Sequence, residues 1–178
     1  MRHAKNCILV LFALTAGSCA REAPQPTPPS PFLAKASIRE IMDAEIDPAA
    51  DALWESVAVI NGEEKQPRTQ EEWQAVRRSA ITLIEATNLI VMDGRRISPA
   101  GVRYPDEADP TGLEQRYEAN RAAFAGMAQA LRAVALKTLD AIDAKDTKRL
   151  FDLGGDLDEA CEACHVVYWY PPDLEPKR

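Results

Sequence analysis

The sequence predicts an all-α domain, an antiparallel four-helix bundle. Three observations carry this expectation. Apolar residues recur at three- and four-residue spacing along four segments. A capping box and proline stops punctuate those segments. No convincing strand alternation intervenes between them. With 178 residues the chain can fill one core but not comfortably two. Hydrophobic residues at 46% and charged residues at 28% fit a soluble globular domain.

Residues 1–18 read as a signal peptide. Arg2, His3 and Lys5 make a positive start, Cys7 to Ala16 are almost wholly apolar, and small residues follow. The apolar run is too short to anchor the chain across a bilayer. Ala16-Gly17-Ser18-Cys19 resembles a bacterial lipobox, although Leu, Val or Ile more usually stands where Ala16 does. The resemblance implies lipidation of Cys19; ordinary cleavage nearby would leave it a plain thiol. The expected location is the periplasm, lipid-anchored. The outer membrane is favoured because Ala20, not Asp, follows the cysteine. Residues 19–35 form a proline-rich tether, where proline density prevents helix and strand. The bundle domain occupies 36–172, and 173–178 form a C-terminal tail.

The first helix is expected from about Ser37 to Ile60, with Ile38, Ile41, Met42, Ile46, Leu53 and Val57 on its apolar stripe. Pro48 lies inside it, predicting a kink, or a break with Asp47 as N-cap. The second starts at Thr69, where Thr69-Gln70-Glu71-Glu72 forms a capping box, and Gly94 suits its C′ position. Pro99, Gly101, Pro105 and Pro110 mark a loop from Arg95 to about Thr111. The third is expected over about Leu113 to Asp143, carrying Tyr117, Phe124, Met127 and Leu131 on one face. The fourth runs from near Asp146 to about Trp169, stopped by Pro171-Pro172, with Gly154-Gly155 as a weak point in its middle. Trp54 and Trp73 are expected to pack in or beside the core.

Net charge is -7 for the whole chain; without residues 1–18 it becomes 19 basic against 28 acidic residues, or -9. Such a surface repels nucleic acid and favours a partner with a basic patch. Removal of the leader, with Cys19 lipidated, leaves Cys161, Cys164 and the single histidine His165. Cys161-Glu162-Ala163-Cys164-His165 is the attachment pattern of a c-type haem. Two thiols add to the two vinyl groups of the porphyrin, and the adjacent imidazole reaches the iron. On a helix, spacings of three and four put all three groups on one face. A zinc site would need four ligands, and no further Cys or His remains. A redox dithiol usually accompanies a strand–helix pattern, which is absent. A disulfide is compatible with an oxidising compartment but gives no reason for the adjoining histidine.

A single such motif near the C-terminus, on the last of four helices after a signal sequence, resembles the class II c-type cytochromes: cytochrome c prime and its low-spin, methionine-ligated relatives. The resemblance covers roughly residues 36–172; outside Cys161 to His165 it is one of architecture. It implies one covalent haem c per chain, His165 as proximal iron ligand, and often a homodimer. It implies electron transfer where the iron has six ligands, and binding of nitric oxide or carbon monoxide where it has five. Trp169 departs from the family, which commonly has a basic residue four after the haem histidine.

With one mature histidine, a bis-histidine haem within one chain is excluded. Methionine ligation raises the haem potential, whereas an open position suits gas binding. Met42 is the candidate sixth ligand, since it lies on the first helix, where low-spin relatives place their methionine; the alternative is a flexible core residue. Met127 and Met92 are weaker candidates. Tyr168, Trp169 and Tyr170 are expected to shield a haem edge. Arg39, Arg77, Arg78 and Arg121 are the basic residues available to pair with the propionates. The leading expectation is one-electron transfer on a haem ligated by His165 and Met42, to a redox partner with a basic patch. The alternative is a five-coordinate, gas-binding module. No enzyme activity is expected, because no second histidine remains for distal acid–base work.

Overall fold

The computed structural model of the chain describes residues 31–102 and 108–174. The 1–18 leader, Cys19 and most of the tether, and residues 175–178 of the tail lie outside the described residues. Four long helical arms make the bundle. The first is α1 (Ile38–Ile41), a π-turn (Met42–Ile46) and α2 (Asp47–Trp54) in continuous succession. The others are α3 (Gln70–Ile90), α5 (Arg121–Asp143) and α6 (Thr147–Tyr168), with a short α4 (Pro110–Ala119) leading into α5.

Cross-links show the antiparallel order. Arg77 Nε donates to Asp143 at 2.7 Å, while Arg132 donates to Asn88 at 2.6 Å, so α3 and α5 run in opposite directions. Trp54 Nε1 donates to the Gly154 carbonyl at 3.0 Å, fixing α2 against α6. Gly154 suits the position: a Cβ would sit 3.3 Å from the indole Cδ1, tight enough that the ring would have to shift by a few tenths of an ångström. α6 runs unbroken through Gly154-Gly155.

The all-α bundle stands as expected, but four local expectations do not. The first helix ends at Trp54 rather than Ile60; residues 58–60 instead form β1 (Ala58–Ile60), paired antiparallel with β2 (Glu63–Lys65). Asn61 and Gly62 both have positive φ, at 54° and 82°, as a tight hairpin turn demands. Asn-Gly between two short runs was the available signal, masked by the apolar spacing that continues to Ile60. Pro48 does stand in the first turn of a new helical element, α2, but the N-cap is Ile46 rather than Asp47, and a π-turn rather than a gap precedes it. Pro48 has no N–H, and in a regular α-turn its ring would strike the Ala44 carbonyl; one extra residue in the preceding turn widens the helix there.

The third helix is split at Asn120, whose φ of -132° is not helical. Its side-chain amide donates back to the Arg116 carbonyl at 3.0 Å, offering the backbone a local alternative to the helix. The split lets Tyr117 and Phe124 meet edge to face at 5.0 Å, and Phe124 meet Tyr168 at 5.1 Å. α3 ends at Ile90, so Gly94, with φ of 77°, serves the turn beyond rather than C′. The end is capped from outside by the buried Arg95, whose guanidinium donates to the Leu89 carbonyl at 2.5 Å and also to Ala36 O.

Leu83, Ala80 and Ala135 are wholly buried where α3 and α5 meet, and Trp73 packs at the same core. The capping box predicted at the start of α3 is present: Thr69 Oγ1 accepts from Glu72 N–H at 3.2 Å, and Glu72 accepts from Thr69 N–H at 2.9 Å. Thr69→Ala leaves an N–H of the first turn without its acceptor and should cost about 1 kcal/mol. The measurement is the midpoint of chemical denaturation, which should fall with an unchanged m-value.

Candidate functional site

Cys161, Cys164 and His165 lie in the last two turns of α6 and share its inward side. All three are half-buried, and both cysteines are free thiols. Burial pushes the Cys161 thiol up to about 11, helped by the negative charge of Asp47, and the Cys164 thiol up to about 12. A redox-active dithiol needs the opposite, a thiolate stabilised at neutral pH. Among the described residues, no group of three or more His, Cys, Asp or Glu is placed to hold a metal ion by itself.

Facing α6 across the bundle is the π-turn. Two clefts separate the arms, and both are lined by Met42, Asp47, Cys164 and His165. The first continues between Ile38, Ile97, Leu113 and Phe124; the second continues between Ile90, Leu131 and Cys161. Ile97 and Ser98 reach the first cleft because the loop after α3 lies over the start of α1. There the Ile38 and Arg39 N–H groups donate to the Arg96 and Ile97 carbonyls at 2.8 and 3.0 Å. Those are two of the four donors an α-helix leaves unpaired at its start.

Aromatic rings close the open end of α6. The Trp169 ring meets His165 edge to face at 4.7 Å, and the Arg39 guanidinium lies 5.5 Å from the Trp169 centroid. Tyr170 lies 6.1 Å from His165 and donates its hydroxyl to Glu162. Tyr168 is buried and also lines the first cleft, beside Phe124. Burial pushes the His165 imidazole below its usual range, while Asp47 and Glu162 pull it back up.

The structure thus brings Cys161, Cys164, His165 and Met42 to one place. Of the four arginines considered for propionates, Arg39 alone lines these clefts. Arg77 pairs with Asp143, and Arg121 pairs with Glu118 at 2.9 Å above the Tyr117 ring. Met92 accepts a contact from Arg95 at 3.4 Å, whereas Met127 lines the second cleft with His165. Asp47 was missed as a site residue: its only visible role in the sequence was to cap a helix. Burial pushes its carboxyl above the usual range, and His165 pulls it down.

No protein-family model and no curated protein matches the chain. Among solved structures it is similar to cytochrome c prime from Alcaligenes xylosoxidans, in the nitric oxide complex of a leucine-to-isoleucine mutant. Identity is 20% and the TM-score 0.50, covering 76% of this chain and 98% of that one. The nitric oxide complex of the leucine-to-alanine mutant matches at 18% identity and a TM-score of 0.48, covering 76% and 97%. At such identity the likeness is one of fold: the chain has the four-helix bundle of cytochrome c prime.

Proposed function

We propose that the chain is a periplasm-facing haem c protein that carries one electron. Its iron is ligated by His165 and Met42, and its haem is joined through Cys161 and Cys164. One observation carries the reading: Met42 and His165 lie on opposite arms, and each borders the same two clefts as Cys164. The donor set fits the group. It comprises two thiols at attachment spacing, an imidazole beside the second thiol, a thioether opposite, and apolar walls between. When bound, the haem supplies the ferric/ferrous couple.

The rest is the work of the chain. Thioether links through Cys161 and Cys164 hold the group to α6 in either oxidation state. His165 and Met42, on packed helices, would hold the iron from two arms, and such fixed ligands would limit rearrangement on electron transfer. Trp169 and Phe124 exclude water from one cleft, so charge near the iron is felt strongly. Acidic residues exposed on the two arms, Asp43, Glu45, Asp158 and Glu162 among them, suit a partner with a basic patch. We place the protein on a lipid anchor at Cys19, with the outer membrane favoured, and assign it no catalytic role. No helix of the described residues is long and apolar enough to cross a membrane.

The second reading is a five-coordinate haem that takes up nitric oxide or carbon monoxide, with Met42 as part of an apolar lid. It is favoured by the nitric oxide held in the similar solved structure. Optical spectra of purified holoprotein in both oxidation states separate the two. Six-coordination predicts a low-spin spectrum with the weak far-red methionine-to-ferric-iron band, and ferrous protein that resists carbon monoxide at neutral pH. A high-spin ferrous spectrum with ready gas uptake would replace the electron-transfer reading with the second.

A further inference from the structure

Asp47 enters both clefts because the first arm contains a π-turn. Its backbone N–H donates to the Met42 carbonyl, five residues back. In a regular α-helix residues five apart are turned about 140° from one another, and Ile46 rather than Asp47 would lie over Met42. With the widened turn, Asp47 and Met42 both line the same two clefts as His165. π-turns inside α-helices are frequent at functional sites.

Asp47 feels the positive charges of His165 and Arg39 and the like charges of Asp43 and Asp51, and makes no ion pair with either cation among the described residues. Asp43 on the same arm is paired with Arg39 at 3.5 Å, and Asp51 is exposed. The negative charge of Asp47 is felt both by His165 and by the Cys161 thiol, which lie one helical turn apart on α6.

We infer that Asp47 is a potential-setting residue, a half-buried carboxylate brought beside the sixth-ligand position by the π-turn to stabilise the ferric over the ferrous state. Its charge opposes the extra electron that the iron accepts from a protein donor. The inference rests on the haem reading above. It assigns Asp47 no contact with the iron and no proton transfer.

The test is the midpoint potential of holoprotein at neutral pH for wild type, Asp47→Asn, Asp47→Glu and Asp51→Asn. Attached haem is first counted in each by its pyridine haemochrome. Asp47→Asn should move the ferric/ferrous equilibrium toward ferrous by about tenfold or more, which for one electron is about 59 mV upward. Asp51→Asn removes a like charge from the exposed side of the same arm and should move it by less than about threefold. Asp47→Glu should stay near wild type, and the absorption bands should be unchanged throughout. Equal shifts for Asp47→Asn and Asp51→Asn would overturn the inference, because the effect would then be general surface charge. A wild-type chain without attached haem is a separate result: it removes the haem reading, and the inference with it.

Discussion

Replacing Cys161 and Cys164 together by Ala should give a chain whose intact mass lacks one haem, and whose residual porphyrin is extracted by acid and organic solvent. The cause is that these are the two thiols on the inward side of α6, and a thioether is the one bond here that survives unfolding. His165 by itself offers a coordinate bond that is lost when its imidazole is protonated. The single variants separate the two links. Cys161→Ala or Cys164→Ala leaves one vinyl group conjugated with the ring, so the ferrous bands should move to longer wavelength while covalent attachment persists. His165→Ala should keep both thioethers and the haem mass but lose the low-spin spectrum. Denaturing mass spectrometry of protein made in a periplasm reads all four. Recovery of full haem mass from the double variant would end the attachment assignment.

Met42→Leu should have the next largest effect. Leu nearly conserves volume, so the packing cost at this half-buried position should stay below about 1.5 kcal/mol, whereas the thioether sulfur disappears completely. Sulfur favours ferrous iron. Its loss should lower the midpoint potential by roughly 120 mV, about a hundredfold in the ferric/ferrous equilibrium. The far-red band should vanish and ferrous protein should begin to take up carbon monoxide. Met127→Leu is the necessary companion, because Met127 lines the second cleft with His165. It should leave band and potential near wild type. If Met127→Leu abolishes the band and Met42→Leu does not, the ligand is Met127, and the π-turn has another purpose.

The shift from Met42→Leu is opposite in sign to that from Asp47→Asn, and the two side chains line the same two clefts. Their effects should therefore not add. Once the thioether is gone, the carboxylate acts on an iron open to water.

Much of the fold and of the site is legible in the order of the residues. The motif from Cys161 to His165 needs only α-helical spacing to put its groups on one side, and spacing is a local property. The capping box at Thr69 and the proline stop after Tyr168 are likewise local, each satisfied within a turn of the chain. Apolar periodicity identifies the arms because a helix must turn its apolar stripe inward whatever lies opposite. The same rule misleads at Ile60 and Asn120. Apolar spacing runs on past Trp54 into the hairpin, and one amide side chain is enough to part α4 from α5.

What the chain alone determined is the set of faces: which residues share the inner side of each arm, and that one of those sides carries two thiols and an imidazole. Tertiary structure decided which faces meet. It set Met42 against His165, brought Met127 beside them, left Arg39 as the arginine at the clefts, and turned Asp47 inward through a widened turn at Pro48. The physical reason is range. Periodicity records how a segment is amphipathic within itself, whereas opposition across a bundle depends on packing between residues more than a hundred positions apart.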